Sequence, residues 1–182
     1  RDLAQWQDLR LSVNVSPVQP NNRAFTKTIE RIVRQCRFPL NRLEVEFTET
    51  ALIRNTERAR EVIGELHARG VTVALDDFGT GFASVGYLRT FRFDKVKLDK
   101  SLTQSILTNT AAQKVVQGTV LIAGGLSAAI IAEGIESEEE AQLLRLSGCH
   151  QLQGYYFGRP QPANMLHTMV PQDAEPRLRA TG

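Results

Sequence analysis

Oxygen-bearing side chains recur along this 182-residue sequence at the ends of short apolar runs. Asn14 lies near the end of the first run and Glu46 near the end of the second, and Asp76 and Asp77 close the third. Glu133 closes a later run. Hard oxygen ligands of this kind suit Mg²⁺, Mn²⁺ or Ca²⁺ rather than a metal that prefers thiolates. Two such ions can clamp the attacking and leaving oxygens in phosphoryl transfer.

A lysine lies among these acidic positions. Lys97, near the end of the fourth run, would lower the pKa of an attacking water or hold a phosphate oxygen. Glu49, Glu136 and Gln153 also follow or occupy apolar runs. Taken singly, residues of these types are more often found in turns or facing solvent. Their recurrence at one run after another indicates a shared functional site.

The apolar runs predict strands by their length and their content of Val, Ile and Leu. They are Leu11–Val15, Leu43–Phe47, Val71–Leu75, Lys95–Leu98, Ala128–Ala132 and Gln151–Phe157. Amphipathic helices are predicted between them, over Phe25–Cys36 and Glu57–Arg69. Ser101-x-x-Gln104 and Ser137-x-x-Glu140 match the capping box and predict the starts of two more. Alternation of this kind predicts an α/β fold with a parallel sheet.

Two parallel architectures fit this alternation. An open doubly wound sheet gathers its functional residues at one switch point, whereas a closed (βα)8 barrel draws them from the carboxyl ends of many strands. Every strand predicted here delivers a polar or ionisable residue near its carboxyl end. This distribution favours the barrel.

Composition excludes several classes of protein. Lys and Arg total 22 against 20 for Asp and Glu, and no basic block stands out, so we expect no nucleic-acid partner. The longest apolar run, 120–132, is interrupted by glycines and too short for a membrane segment. Cys36 and Cys149 are expected to be buried thiols in a reducing, cytoplasmic compartment. The three histidines are expected at the surface or in caps: His67, His150 and His167.

Taken together, the motifs resemble those of the EAL-domain family of cyclic-di-GMP phosphodiesterases. The matching segments, in family order, are LSVNVS (11–16), LEVEFTE (43–49), ALDDFGTG (74–81), YLR (87–89), DKVKLD (94–99), AEGIE (132–136) and QGYYFGRP (153–160). The resemblance implies a TIM-type (βα)8 barrel that hydrolyses cyclic di-GMP to linear pGpG. It also implies two divalent cations, Mg²⁺ or Mn²⁺, with Ca²⁺ expected to inhibit.

The resemblance also implies roles for individual residues. Asn14, Glu46 and Asp76 would bind one metal, and Asp76 would bridge to the second metal with Asp77 and Glu133. Lys97 would position or activate the attacking water. The remaining matches are Glu49 and Glu136, as carboxylates ordering the catalytic loop, and Gln153, as a contact to solvent or ligand.

One departure from the family pattern is large. The E-A-L motif, whose Glu is a metal ligand, is absent, and only ten residues precede the first matching strand. We therefore expect a barrel incomplete at its N-terminus, without the first strand and the helical segment after it. A complete barrel typically needs about 250 residues. On this basis residues 1–170 form a partial EAL-type domain, 171–182 form a polar tail, and this chain alone is inactive or weak.

Two other functions stay open. The runner-up is a non-catalytic receptor or scaffold that binds cyclic di-GMP. A metal-dependent barrel lyase or aldolase, with Lys97 forming a Schiff base, is the third. For the parent protein, the resemblance implies a homodimer, fused sensor or GGDEF domains, and a cytoplasmic location that includes membrane-tethered forms.

Overall fold

The computed structural model describes residues 9–79 and 85–168, and six parallel strands form its single sheet. The strands are β1 (Leu11–Val15), β2 (Leu43–Thr48), β3 (Thr72–Phe78), β4 (Lys95–Leu98), β5 (Ala129–Ala132) and β6 (Gln151–Leu152). They lie in the sheet in chain order, and each is parallel to its neighbours. A doubly wound sheet would reverse its strand order at a switch point, so the open-sheet alternative is wrong.

Helices return the chain between successive strands. They are α1 (Phe25–Gln35), α2 (Glu49–Ile53), α3 (Thr56–His67), α4 (Val85–Thr90), α5 (Lys100–Thr103), α6 (Thr110–Gly125) and α7 (Glu138–Leu146), with 3-10 turns at Gln19–Asn21, Leu40–Arg42 and Ala163–Thr168. Repeated βα units with strands in chain order are the architecture of a TIM-type α/β barrel. The six strands make this an incomplete barrel, as the sequence predicts.

Strands β2 and β4 each have one apolar face and one face that carries charged residues. On β2, Val45 and Phe47 are buried, and Val45 lines a groove with Phe25 and Val33 of α1. That face of the sheet therefore packs against the helices. Side chains alternate along a strand, so Glu44 and Glu46 project to the opposite face, which is the barrel interior.

Of the two predicted capping boxes, the structure confirms one and contradicts the other. At α7 the Ser137 side chain accepts from the Glu140 backbone N–H and the Glu140 carboxylate accepts from Ser137, which confirms that capping box. The Ser101 box is wrong, because Asp99 caps the short α5 by accepting from the Ser101 N–H. The long helix α6 begins only at Thr110, after an Asn109 cap.

The predicted sixth strand is too long. Only Gln151–Leu152 pair with β5, and the chain then bends over the loop that follows β5. The Tyr156 N–H donates to the Ile135 carbonyl at 3.0 Å, and a Cβ at Gly154 would lie 2.1 Å from that same carbonyl oxygen. Contact with a loop, which has no sequence signal of its own, ends this strand early.

The cysteine and histidine expectations hold only in part. Cys149 is buried, but Cys36 is exposed as the residue that follows the last turn of α1. His67 is half-buried, with Nε2 3.0 Å from Asp94 Oδ2, so it is neither a surface nor a capping residue. His150 is exposed, as expected, and the side chain of His167 lies outside the described part of the structure. None of the helices in the described ranges has the length and apolar character needed to cross a membrane.

Candidate active site

Strands β2, β3 and β4 and the loop after β5 bring four charged side chains together at the carboxyl end of the barrel interior. Lys97 Nζ lies 2.6 Å from Glu46 Oε2, 2.9 Å from Asp76 Oδ1 and 2.7 Å from Glu133 Oε1. We call these four residues the Lys97 cluster. Glu46, Asp76 and Lys97 are each less than a tenth exposed, so the charges interact with little screening by solvent.

The cluster carries excess negative charge. Three carboxylates and one ammonium give a formal charge of −2 (1 − 3). Burial alone would lower the pKa of Lys97, but hydrogen bonds to Glu133, Glu46 and Asp76 outweigh burial and raise that pKa well above its ordinary value. Lys97 is therefore a permanent cation, and it balances only one of the three carboxylates.

The two consecutive aspartates at the end of β3 would face opposite sides of a regular strand. The register between β3 and β4 shifts between Leu75 and Phe78, and Asp77 has a positive φ of 57°. A bulge of this kind re-aims one side chain of the strand. Burial and the neighbouring charges of Asp76 and Asp99 raise the pKa of Asp77, which shows that its carboxyl shares the acidic field of the site.

Glu133 enters the cluster from a loop rather than from a strand. Its backbone N–H donates to the Leu98 carbonyl at 3.2 Å, and its carbonyl accepts from the Thr103 hydroxyl at 2.6 Å. Gly134 follows with a φ of 70°, a backbone conformation that is strained in any residue with a Cβ atom. These contacts fix the Glu133 side chain over Lys97. Burial raises its pKa, although the charge of Lys97 opposes this.

A cavity of about 260 Å³ lies beside the cluster. Among its lining residues are Asp99, Glu133, Glu136, Gln153 and Tyr155. Glu136 and Gln153 are exposed, so the structure places them at the mouth of the site and not at its buried centre. Hydrogen bonding from Ser101 lowers the pKa of Asp99, which keeps a negative charge at this mouth.

Two further predicted residues lie at the margin of the site. Asn14 is the register partner of Glu46 on β1, so it occupies the expected level of the sheet, but its side chain is exposed. Glu49 is buried as the first residue of α2, directly after β2.

The carboxylates of the cluster have the chemistry of a cation site but not yet its arrangement. Within 9–79 and 85–168, no group of three or more His, Cys, Asp or Glu side chains is arranged to hold a metal ion as it stands. The carboxylates of the cluster converge instead on the ammonium of Lys97. In kind and in charge, however, the three carboxylates of the cluster and its net charge of −2 fit a hard divalent cation. Binding would require carboxylate oxygens to turn from Lys97 toward the ion.

The structure contains one further charged pair in the interior that the pattern of strand ends does not predict. Lys95 Nζ lies 2.6 Å from Glu44 Oε2, and Glu44 is 2% exposed. The signal was present as two same-face repeats, Glu-x-Glu on β2 and Lys-x-Lys on β4. The rule that barrel enzymes place functional residues at the carboxyl ends of the strands does not point to Glu44 and Lys95, because both lie nearer the amino ends.

Parallel βα units that carry a lysine–carboxylate centre at their carboxyl ends define the class of the protein: an α/β-barrel domain with its site at the end where barrel enzymes place it. The EAL domain family model matches residues 1–160. This chain therefore belongs to the EAL domain family.

Known proteins agree with this assignment. A cyclic di-GMP phosphodiesterase of Pseudomonas aeruginosa, PA2567, is 35% identical over 181 residues, covering 97% of this chain and 30% of that protein. The EAL domain of Mycobacterium smegmatis DcpA superposes with a TM-score of 0.86 at 30% identity, covering 91% of this chain and 74% of that one. The PaMucR phosphodiesterase in its c-di-GMP complex has a TM-score of 0.81 at 29% identity, with coverage of 87% and 64%. The chain spans less than a third of the length of the first curated relatives.

Proposed function

We propose that this chain is the catalytic portion of a phosphodiesterase that hydrolyses cyclic di-GMP to linear pGpG with divalent cations. The observation that carries the proposal is the Lys97 cluster, a buried carboxylate site with uncompensated negative charge at the carboxyl end of a barrel. Relatives named as cyclic di-GMP phosphodiesterases support the choice of substrate.

The cations are Mg²⁺ or Mn²⁺ in this proposal, and Ca²⁺ is expected to bind without supporting turnover. The ligands would be Asn14, Glu46, Asp76, Asp77 and Glu133. Bound there, the ions would supply Lewis-acid stabilisation of the charge that develops on the phosphoryl oxygens. The excess negative charge of the cluster is what favours their binding.

Lys97 acts in this scheme as a donor and a fixed positive charge. Its raised pKa keeps the amine protonated near neutral pH, so it would not serve as a base. A protonated amine is also a poor nucleophile, which argues against the lyase or aldolase alternative with its Schiff base. The ammonium would instead hold the attacking water or a phosphate oxygen.

Hydrolysis adds water to one phosphorus and breaks its bond to the 3′ oxygen, leaving a 5′-phosphate and a 3′-hydroxyl. The attacking water loses a proton in this step, and the departing 3′ oxygen gains one from solvent at the mouth of the site. Glu133 would receive the proton of the water through an oxygen that is not bound to a cation, because burial raises the pKa of its carboxyl. Glu49 and Glu136 would order the loops around the site, and Gln153 would contact the ligand at its mouth.

Chromatographic detection of pGpG tests this function. The chain incubated with cyclic di-GMP and Mn²⁺ should release pGpG, and EDTA, Asp76→Asn or Glu133→Gln should abolish the release. Turnover should be weak, because the sequence lacks the E-A-L glutamate expected as a metal ligand. Glu30→Gln, which alters a carboxylate of α1, is the matched control and should leave the rate unchanged. Release of pGpG that survives EDTA or either substitution, or its absence from a longer chain that carries the E-A-L segment, would contradict the proposal.

A receptor or scaffold function is the second candidate. One observation favours it: the Lys97 ammonium already neutralises part of the negative charge that would attract a divalent cation. Calorimetry with cyclic di-GMP in Ca²⁺ and in Mg²⁺ separates the two functions. A receptor would bind the nucleotide in both ions and leave it intact, whereas an enzyme would consume it in Mg²⁺.

A further inference from the structure

A second ion pair lies inside the barrel, one step below the Lys97 cluster toward the amino ends of the strands. Lys95 Nζ is 2.6 Å from Glu44 Oε2, and the two side chains are 15% and 3% exposed. The Ser12 hydroxyl donates to Glu44 Oε1 at 3.2 Å. Because residues two apart on a strand share a face, Lys95 lies below Lys97 on β4, and Glu44 lies below Glu46 on β2.

The sheet register brings both lysines within reach of the same glutamate. Glu46 is the register partner of Ala74 on β3, and Ala74 is in turn the partner of Lys95. Two strand spacings, roughly 10 Å, separate the Cα atoms of Glu46 and Lys95, a gap that the two side chains together can span. Ala74 contributes only a methyl group at this level, so β3 does not obstruct the approach.

The observed pairing is nevertheless diagonal. Lys95 pairs with Glu44, and Lys97, two residues nearer the carboxyl end, pairs with Glu46. Each lysine therefore leans toward the amino end of the sheet. Because Glu44 holds the Lys95 ammonium, Glu46 faces Lys97 instead of Lys95.

Stability of the fold alone does not account for the lower pair. Burying two charges removes their hydration, and apolar residues of similar volume often stabilise a protein as well as a buried ion pair or better. The pair does determine which ammonium faces which carboxylate. Without Glu44, the Lys95 ammonium would be left to compete for Glu46. Without Lys95, the buried Glu44 carboxylate would attract Lys97.

We propose that Glu44 and Lys95 are positioning residues for the site above them: their ion pair withdraws Lys95 from Glu46 and so reserves Glu46 for Lys97 and a bound cation. The consequence for catalysis rests on the proposed phosphodiesterase function. The pairing of Lys95 with Glu44 does not depend on that function, and it can be measured without turnover.

The test uses the lysine side-chain ammonium resonances of the full chain, labelled with ¹⁵N and read at one fixed pH. In Glu44→Gln the Lys95 ammonium loses its anion while the hydrogen bond from Ser12 is retained. The Lys97 Nζ resonance should then shift, and a crystal structure should show Lys95 at Glu46. In Lys95→Gln the resonance should shift as well, because Lys97 is drawn toward Glu44; this variant replaces the first if Glu44→Gln does not fold.

Two controls make the result specific. The double variant E44Q/K95M removes both competing charges, so the Lys97 resonance should return toward its original position. Glu30→Gln, which removes a carboxylate paired with Arg34 and Arg69 outside the barrel, should leave it unchanged. An unshifted Lys97 resonance in both single variants would overturn the proposal.

Turnover supplies an independent readout. In Glu44→Gln we expect kcat with Mn²⁺ to fall roughly 10-fold, the loss usual for partners that orient ligands, with KM for cyclic di-GMP unchanged and recovery in E44Q/K95M. A pair that served stability alone would lower the melting temperature and leave kcat per folded molecule intact, which would contradict positioning. If no variant of this chain turns over the nucleotide, the resonances still decide the pairing, and the phosphodiesterase function is tested on a longer chain that carries the E-A-L segment.

Discussion

Lys97 Nζ lies 2.6 Å from Glu46 Oε2, and this contact joins β4 to β2 across the full width of β3. The same ammonium reaches Asp76 on the strand between them. One side chain therefore ties three neighbouring strands together at their carboxyl ends. It is a structural cross-link as well as the cation of the proposed site, and its removal should affect both properties.

Lys97→Met should destabilise the chain by about 3–5 kcal/mol near neutral pH, because it leaves buried carboxylates without a cation. The sign of the pH dependence follows from linkage. Burial raises the pKa of Glu133 and the charge of Lys97 opposes that shift, so without Lys97 the folded chain binds more protons than the unfolded chain. Stability of the variant should therefore recover as the pH falls. Urea unfolding at two pH values measures this, with the exposed Lys114→Met as control; equal losses in both variants would contradict it.

Gly154→Ala should destabilise the fold by about 1–3 kcal/mol or more, since the added methyl overpacks a rigid contact. Its Cβ would lie 2.1 Å from the oxygen and 2.2 Å from the nitrogen of Ile135, both backbone atoms that cannot turn away. The displaced loop should also alter ligand binding at Gln153.

Gly118→Ala on α6 is the matched control, because nothing lies within 4 Å of its Cβ. It should stabilise the chain by about 0.5–1 kcal/mol through helix propensity. Thermal unfolding compares the two variants. Similar changes in both would show that the contact with Ile135 is not tight.

Cys149 should make stability fall in alkaline solution. Burial raises the pKa of its thiol to about 11, above that of an unfolded cysteine. Between these values the unfolded chain has released the proton and the folded chain has not, so folding becomes less favourable as the pH rises. The total loss is roughly 3 kcal/mol. Denaturation of the chain and of Cys149→Ala across this range measures the difference, and parallel curves would refute the assignment.

Ser137→Ala should cost about 1 kcal/mol, because α7 loses the side chain that accepts from its Glu140 N–H. Thr110→Ala is a suitable comparison, since Asn109 supplies the cap of α6 and Thr110 is exposed. Urea unfolding should separate the two variants. A loss at Thr110 as large as that at Ser137 would count against the capping argument.

The centre of the site could be predicted from sequence because parallel strands share an edge. Glu46, Asp76 and Lys97 each lie near the end of an apolar run, and the sheet brings those ends together. Glu133 follows a fourth run and joins them. The apolar periodicity of a strand is a property of its local sequence, so the position of a residue near the end of a strand can be predicted without knowing the fold.

Other features depend on contacts distant in sequence and could not be predicted. The positive φ of Asp77 arises where β3 loses its regular register with β4, and the residue types in β3 do not predict that loss of register. The early end of the sixth strand depends on Ile135, a residue of a different loop. The pairing of Lys95 with Glu44 rather than Glu46 is decided by which partners are available, which neither strand encodes by itself.

The strand order has a consequence for how the chain folds. Each strand pairs with the next one along the chain, so successive βα units can dock as they leave the ribosome. Glu46 and Asp76 arrive on β2 and β3, before the lysine that neutralises them arrives on β4. Until then the nascent sheet carries unbalanced acidic side chains on its inner face. Docking of β4 should therefore be the step at which the assembling intermediate gains most of its stability.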